Sequence, residues 1–401
     1  MANPSINLGN GNWSVKESKL LGSRPIKDKI APIEFDVTRA STATRVNKQG
    51  LIETVNSNIA RIDYSNDANG ALLLENQSTN LVTYSESFDN AYWQKTGGGT
   101  GSVAVATSNT IISPDGTVNA DTIVFNSGAG TTPSDQSNIG RTFSILNSTT
   151  YTFSVYLKGL TGGEEILFRG SDGVYDKAVL TNEWKIYNFT SLSTSTTATF
   201  AFGLRQGLSG IGTINSSASI YAWGAQLEQN SYATSYIPTS GTAQTRVEET
   251  CGGAGSSSSI NSEEGVLYAE ISALSDDLTR RIITLTDGTL NNILKLEYKN
   301  VSNQIEAVLY DGGTQCLMLY TLPDSIYFNK IAFKYKQNDF SLWVNGVKVV
   351  SDLSGGVFAN NTLNNINFSQ GGSNFLYGKI KDLRVYSTAL TDSELQALTT
   401  L

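Results

Sequence analysis

One ten-residue segment near the C-terminal end constrains the fold of this chain more than any other. Phe340–Val349 reads FSLWVNGVKV, in which the dipeptide Asn345-Gly346 separates two short runs of alternating apolar residues. A two-residue type I′ turn needs positive φ at both central positions, and Asn-Gly is the preferred pair for it. The segment therefore predicts a β-hairpin in which Val344 pairs with Val347.

The predicted hairpin has two different faces. Leu342 pairs with Val349 on the apolar face, which must pack on another layer of the protein. Trp343 lies on the opposite face, across from Lys348, where a core role is not required. Trp343 is therefore a candidate for contact with a ligand, and the alternative is burial beneath a neighbouring loop or sheet.

A closing strand and a capped helix are predicted after the hairpin. Tyr377–Val385 alternates again, and Thr391 and Glu394 have the spacing of a capping box, with Leu390 and Leu395 as its hydrophobic staple. A hairpin, a strand and a short terminal helix in this order resemble the end of a laminin G-like or concanavalin A-like sandwich. That fold is used mostly to hold glycans or protein surfaces.

The rest of the chain also favours strands. The hydrophobic fraction is 39%, Gly, Ser, Thr and Asn are abundant, and long apolar runs are missing, which is typical of an all-β protein with many turns. Apolar residues alternate with polar ones in 151–157 and 200–204, without helical patterns between them. Such strands predict antiparallel sheets packed as a sandwich, and 401 residues suggest more than one domain.

These patterns divide the chain into an arm, a connector, two antiparallel sandwiches and a linker. Residues 1–34 have little core-forming pattern and carry Lys16, Lys19, Arg24, Lys27 and Lys29, so they are predicted to be an N-terminal attachment arm. Residues 250–262 are dense in Gly and Ser, which predicts a flexible linker. The predicted segments are the arm (1–34), a β-rich connector (35–80), a jelly-roll sandwich (81–247), the linker (248–262) and a concanavalin A-like sandwich (263–401).

Charge and composition exclude several partners. The net charge is −8 and only 16% of residues are charged, so nucleic acid is not expected to bind. No apolar run has membrane-spanning length, and Met1 to Asn10 lacks the features of a secretory signal. Cys251 and Cys316 have neither metal nor disulfide spacing and are predicted to be free thiols, as in a reducing cytoplasm.

Two long runs resemble segments that recur in bacteriophage virion proteins. The first, 35–93, includes TRASTATRV, GLIETV and LLLENQSTNLVTYSESFDNAYW, and the second, 221–247, reads YAWGAQLEQNSYATSYIPTSGTAQTRV. In those proteins the middle region looks like a carbohydrate-binding-module jelly roll, often followed by a laminin G-like sandwich. The resemblance implies a non-enzymatic virion surface protein of the head-fibre, decoration or tail type, assembled in the host cytoplasm.

The same resemblance implies the partners. The protein would attach to other virion proteins through its N-terminal region, bind a host surface glycan and form a homo-oligomer, with a trimer as one option. Membrane insertion is not expected. Two alternatives stay open: a purely structural capsid decoration or tail protein that binds no sugar, and a polysaccharide depolymerase.

The residue inventory argues against catalysis. The chain has no histidine, which excludes Ser-His-Asp and Cys-His arrangements and every His-ligated metal. A glycosidase needs two carboxyl groups flanking a sugar. The acids that alternate along the chain are Glu34 with Asp36 and Asp392 with Glu394, and neither pair falls on a predicted sandwich strand.

Sugar recognition by a β-sandwich combines aromatic faces with a few polar side chains. In the jelly roll, Arg169, Asp172, Tyr175 and Asp176 surround a predicted turn, and Trp184 begins the following strand. With Trp343, these are the candidate carbohydrate-binding residues. The alternative is that Tyr175 and Trp184 fill the core while the polar residues solvate a hairpin tip.

Calcium is the one cofactor left open, because laminin G-like sandwiches often bind it. Asp287, Asp311 and Asp324 fall at predicted turns, where aspartate usually satisfies local backbone donors. The sequence therefore names no metal ligands, and no other cofactor is expected.

Overall fold

The computed structural model describes residues 2–26 and 29–401, and in them the fold is almost entirely β-strand with one short helix. The elements are β1 (Ile6–Gly9), β2 (Ser14–Lys16), β3 (Lys19–Ile26), β4 (Lys29–Thr38), β5 (Ala43–Val46), β6 (Ile52–Val55), β7 (Arg61–Asp63), β8 (Ala71–Leu74), β9 (Ser78–Asn80), β10 (Gln94–Gly98), β11 (Ser102–Ile112), β12 (Val118–Asn126), β13 (Gln136–Ser144), β14 (Thr150–Gly159), β15 (Glu165–Arg169), β16 (Tyr175–Val179), β17 (Lys185–Leu192), β18 (Thr197–Arg205), β19 (Ser217–Glu228), β20 (Gln244–Arg246), β21 (Thr250–Ala254), β22 (Glu264–Ala273), β23 (Arg281–Thr286), β24 (Asn292–Tyr298), β25 (Gln304–Asp311), β26 (Thr314–Thr321), β27 (Asn329–Lys336), β28 (Phe340–Val344), β29 (Val347–Asp352), β30 (Asn365–Asn367), β31 (Gly378–Tyr386) and α1 (Asp392–Thr399).

The strands form two compact units. The first unit contains residues 1–49, 54–76 and 247–401, and the second contains 50–53 and 77–246. The second unit is therefore inserted into the chain of the first. The predicted all-β class with antiparallel sandwiches is confirmed.

The second unit is a sandwich of two five-stranded antiparallel sheets. Their strand orders are β10-β13-β18-β15-β16 and β11-β12-β19-β14-β17. The core between them is rich in phenylalanine, and the rings of Phe153, Phe168, Phe200 and Phe202 lie about 6 Å apart, as in aromatic pairs. The alternating runs 151–157 and 200–204 supply much of this core, as predicted.

A β-bulge changes the face on which Trp223 lies. The register between β14 and β19 shifts between Ser154 and Tyr156, so Leu227 points into the core while Trp223 points to the opposite face. Trp223 is buried there against Tyr236, with ring centroids 4.5 Å apart. A bulge of this kind is not visible in a regular alternation of residues, so the sequence alone does not show that Trp223 and Leu227 lie on opposite faces.

The described residues of the predicted arm, 2–26 and 29–34, belong to the first unit and do not form an arm. β1 pairs with β31 from Ile6↔Val385 to Gly9↔Asp382, and Ile6, Leu8 and Leu20 are buried in the core of the first unit. The prediction of an arm is wrong because the pairing partner lies almost at the other end of the chain, where a local pattern cannot reveal it. Lys27, one of the basic residues of this segment, lies outside the described residues.

The predicted connector and linker also belong to the first unit. β8 of the connector pairs with β31, with Ile380 opposite Leu72. In the predicted linker, β21 pairs with both β4 and β30, and Cys251, Ala254 and Ile260 are buried. The prediction of a flexible linker is wrong, because glycines of this segment lie in the bulged strand β21, where Gly253 has φ +77°.

The Asn345-Gly346 hairpin is confirmed, with φ of 49° and 84° at the two turn residues. Val344 pairs with Val347 and Trp343 lies opposite Lys348, as predicted. A bulge next to Trp343 moves the partner of Leu342 from the predicted Val349 to Val350. The Asn-Gly turn thus determines that a hairpin forms. The pairing register of the two strands shifts at the bulge between Leu342 and Trp343.

The C-terminal helix determines the environment of Trp343. Thr391 and Glu394 form the predicted capping box, and α1 packs its Leu395 and Leu398 on the face of the sheet that carries Trp343. Trp343 is only 5% exposed, and Lys348 lies over its ring. Trp343 is therefore a core residue, and its prediction as a glycan-binding residue is wrong.

Candidate functional site

A groove lies on the outer face of one sheet of the second unit. Because Phe200, Phe202 and Leu204 of β18 point into the core, residues 199, 201, 203 and 205 point to the opposite face. The groove has a volume of about 260 Å³. Its outward-facing side chains come from all five strands: Gln94 and Thr96 (β10), Gln136 and Asn138 (β13), Leu167 and Arg169 (β15), Tyr175 (β16), and Thr199, Ala201 and Arg205 (β18).

Small residues keep the floor of the groove low. Gly140 pairs with Ala201, and a Cβ added at Gly140 would lie 2.4 Å from that of Ala201. Gly203 has φ +152°, and its Cβ would lie 2.4 Å from the carbonyl oxygen of Ser137. Since neither glycine can be enlarged without moving the sheet, the backbone itself forms the middle of the floor.

Two arginines and a tyrosine form one wall. Arg169 and Tyr175 are directly opposite each other on β15 and β16. Arg205 donates from Nη1 to the Tyr175 hydroxyl at 2.6 Å and from Nε to the carbonyl of Pro133 at 2.7 Å. Its guanidinium carbon lies 5.4 Å from the centroid of the Tyr175 ring. These contacts hold the ring and Arg205 in fixed positions.

Arg169 differs from Arg205 in having no partner among the described residues. Its half-buried guanidinium makes neither a hydrogen bond nor an ion pair with them, and its Nε is buried and unsatisfied. A buried donor without a partner is unfavourable by about 1–3 kcal/mol. Arg169 is thus a donor group that a ligand in the groove could satisfy.

The other wall carries neutral hydrogen-bonding groups. The side chains of Gln94 and Thr96 are exposed, and neither has a hydrogen-bond partner in the described part of the chain. Asn138 donates from Nδ2 to Oε1 of Gln136 at 3.3 Å, which leaves the carbonyl of Asn138 free to accept. Amides and hydroxyls are groups that bind sugar hydroxyls.

The structure brings Arg169 and Tyr175 of the predicted candidates together, and the others lie elsewhere. Asp172 is exposed at the β15–β16 turn and accepts from the backbone of Val174 at 3.0 Å. Asp176 is exposed on the face of β16 opposite to Tyr175, since it pairs with Phe168. Trp184 is half-buried immediately before β17 of the other sheet.

The indole nitrogen of Trp184 donates to the carbonyl of Ile112 at 3.0 Å.

The sequence did not indicate Gln94, Gln136, Asn138 or Arg205 as residues of a binding site. A signal was available for Arg205, because β18 alternates large apolar residues with polar or small ones, which is typical of a sheet with one exposed face.

Two carboxylates do face each other in the first unit. Glu297 of β24 pairs directly with Glu306 of β25, an arrangement that a search along single strands cannot find. Lys295 lies between them, Arg280 binds Glu297, and Lys299 binds Glu306 at 2.6 Å. Burial would raise the pKa of Glu306, but Lys299 and Lys295 outweigh it and lower the pKa. Glu306 therefore lacks the raised pKa that a general acid needs.

The carboxylates and the helix of the described residues bear on metal binding and on membrane insertion. No group of three or more Cys, Asp or Glu side chains in residues 2–26 and 29–401 is arranged to hold a metal ion. The carboxylates of Asp287 and Asp324 accept hydrogen bonds from backbone groups of their own turns. Among the described residues, no helix has the length and apolar character needed to span a membrane.

The C-terminal part of the chain matches a known family. Residues 267–396 match the laminin G model described as the concanavalin A-like lectin/glucanases superfamily. The match covers less than half of the chain and shows a concanavalin A-like domain in the first unit. No curated protein sequence matches the chain.

Several solved structures are similar in fold. The carbohydrate-binding module CBM40 of the Ruminococcus gnavus IT-sialidase, bound to α2,3-sialyllactose, is 17% identical over 37% of this chain and 93% of its own, with a TM-score of 0.32. Domain 4 of AbnA, a GH43 arabinanase of Geobacillus stearothermophilus, in complex with arabinotriose, is 13% identical over 43% and 84%, with a TM-score of 0.28.

A tandem of CBM22 domains from Paenibacillus barcinonensis Xyn10C is 10% identical over 78% of this chain and 98% of its own, with a TM-score of 0.25. At these identities and scores the similarities concern the fold alone. They include both binding modules and parts of glycosidases, so they do not decide whether the chain is an enzyme.

Proposed function

We propose that this protein is a glycan-binding protein and that its second unit holds an oligosaccharide in the groove of the β10-β13-β18-β15-β16 sheet. One observation carries the proposal: the hydrogen-bonding side chains of Gln94, Thr96 and Arg169, which have no partner among the described residues, stand beside a floor of small residues and the fixed ring of Tyr175. A pyranose presents both an apolar face and hydroxyls, and such a groove complements both.

The floor explains how a sugar would approach the sheet. With Ala201 and Gly203 in the lining and Gly140 paired with Ala201, a ring can lie against the backbone while its hydroxyls reach the polar walls. A single sugar held by a few hydrogen bonds binds weakly, because association and ordering oppose it. Many copies on one surface would raise the effective affinity.

Filling the floor tests the proposal. Ala201→Leu places a larger side chain in the groove without entering the core, since residue 201 points outward. On a glycan array, and by calorimetry with the glycan that binds best, we expect affinity to fall at least tenfold, or about 1.4 kcal/mol. Ser219→Leu is the matched control, because Ser219 lies on the outer face of the other sheet.

The outcomes separate the alternatives. If Ala201→Leu binds as the unaltered protein does, the groove is not the site. If the unaltered protein binds no glycan on the array, the purely structural decoration protein takes the place of this proposal. Release of reducing ends from a bound polysaccharide would instead favour the depolymerase.

We also infer that the groove is displayed on a bacteriophage particle and serves adhesion to the host. The support is the resemblance of 35–93 and 221–247 to virion proteins. Attachment to other virion proteins through the N-terminal region, assembly in the host cytoplasm and a homo-oligomer belong to the same proposal. Gold-labelled antibody against the second unit should decorate intact particles, whereas absence of the protein from purified particles would contradict this role.

A further inference from the structure

The groove has a charge that differs from that of the whole protein. The chain carries a net charge of −8, yet the described residues that line the groove include two arginines and no carboxylate. The acid on the same face of β15, Glu165, binds the ammonium group of Lys177 at 2.9 Å and accepts from the backbone of Asn215 at 3.1 Å. The charges of Arg169 and Arg205 are therefore not balanced by that acid.

The two guanidinium groups are also available to a ligand. Arg169 has no partner in the described part of the chain. Arg205 uses Nε and Nη1 for Pro133 and Tyr175, and its Nη2 has no partner in the part of the chain that the structure describes, so it can donate to a ligand. Because these contacts fix Arg205, it loses little conformational entropy when it binds a ligand.

Arg169 determines which ligands are favoured. A neutral sugar that covers the groove would remove water from its guanidinium without supplying a charge, which is unfavourable. A carboxylate or sulfate group would supply both charge and acceptors, and guanidinium matches such planar or branched anions through paired hydrogen bonds. Acidic sugars should thus bind more tightly than neutral ones of the same shape.

We propose that the groove selects oligosaccharides that carry an anionic substituent, with Arg169 as its principal partner and Arg205 as the second. This inference rests on the proposed function of the groove. It narrows the ligand class from glycans in general to acidic glycans, and a uronate carboxylate and a sulfate ester are the two sources of the anion.

The test uses the full chain and pairs of probes that differ only in charge. Affinities are measured for hyaluronan and oligogalacturonate fragments against their carboxyl-reduced forms, and for carrageenan fragments against their desulfated forms. At least one acidic probe should bind about tenfold more tightly than its neutral partner, and the uronate and sulfate pairs show which anion is preferred. Added salt should weaken the binding of the acidic probe and leave the binding of its neutral partner unchanged.

Charge-removing variants locate the effect. Arg169→Gln keeps hydrogen-bonding capacity but removes the charge, so it should abolish the preference for the acidic probe. Lys185→Gln removes the same charge from an exposed site on the other sheet and should leave the preference unchanged. An equal loss in both variants would show an effect of net charge alone and would overturn the inference.

The remaining outcomes separate this inference from the proposed function. If neutral and acidic partners bind equally and Ala201→Leu abolishes both, the groove binds glycans but does not select acidic ones. If Arg169→Gln retains the full preference, the assignment of Arg169 is overturned. If no probe binds, and no glycan on the array binds either, both proposals fail.

Discussion

Arg39 and Glu249, 210 positions apart in the chain, form a fully buried ion pair in the first unit, with 2.6 Å between Nη1 and Oε1. Arg61 also binds Glu249 and lies 2.8 Å from Glu75. The second unit is inserted between these residues. The network therefore joins the segment of the chain before the insertion to the segment after it. It also explains why Arg39, in the run TRASTATRV, is buried.

Removal of the shared carboxylate should destabilise the first unit. Glu249→Gln leaves the guanidinium of Arg39 buried without its charge partner, and loss of one partner of a buried pair costs about 3–5 kcal/mol. Urea unfolding of the full chain should show a loss of this size. Glu248→Gln, at the adjacent exposed position, is the control and should change stability little. Equal stability of the two variants would contradict the network's role.

The burial of Trp343 predicts a stability effect rather than a binding effect. Trp343→Ala would leave a cavity between the sheet and α1, and such substitutions cost about 3–5 kcal/mol. Thermal unfolding of the first unit should occur at a clearly lower temperature, with glycan binding by the second unit unchanged. Tyr327→Ala, at a highly exposed position of the same unit, is the control. A variant with normal stability and reduced glycan binding would restore Trp343 as a ligand contact.

Asp121 makes the second unit sensitive to pH. Burial raises its pKa to about 6, and the nearby carboxylate of Asp89 adds to this, although the backbone of Phe88 and Asn109 donates to it. The ordinary value is about 3.9, so the folded state holds this proton more tightly than the unfolded state. The stability linked to this proton is present below about pH 4 and is lost as pH rises through about 6.

Thermal midpoints at about pH 4.5 and 6.5 measure this loss. In Asp121→Asn the decrease between the two values should be smaller than in the unaltered protein, because the amide does not titrate. Asp172→Asn, at the exposed turn, should keep the full decrease. If Asp121→Asn also keeps it, Asp121 is not the responsible group.

The two units should behave differently when expressed alone. Residues 77–246 contain all ten strands of the two five-stranded sheets, so this fragment should fold. Residues 263–401 lack β1 and β8, which pair with β31, and β21, which pairs with β30, so this fragment should be unstable. Circular dichroism and limited proteolysis show whether each fragment is folded. A stable 263–401 fragment would restore the predicted boundary.

The sequence predicts those features that depend on neighbouring residues. The Asn345-Gly346 turn, the capping box at Thr391 and the alternating strands of the second unit all follow from local chemistry. The pairing of Ile6 with Val385 cannot be predicted in this way, because each partner alone is an ordinary apolar residue. The Gly-Ser composition near Cys251 was misleading, because a bulged strand and a linker both use glycine.

The groove was predicted in part for the same reason. Arg169 and Tyr175 lie on either side of one turn, so their proximity is visible in the sequence. Gln94 and Asn138 come from strands that are distant in the chain and meet only through sheet order. The small residues of the floor, such as Gly140 and Ala201, carry no signal unless the face that they share is known.

A crystal structure of the protein with its tightest-binding oligosaccharide tests the central proposal most directly. We expect the sugar to lie in the groove of the second unit, against Gly203, with its hydroxyls or its anionic group within hydrogen-bond distance of Arg169 and Gln94. A sugar bound beside Trp184, or on the first unit with the groove empty, would contradict the proposed site.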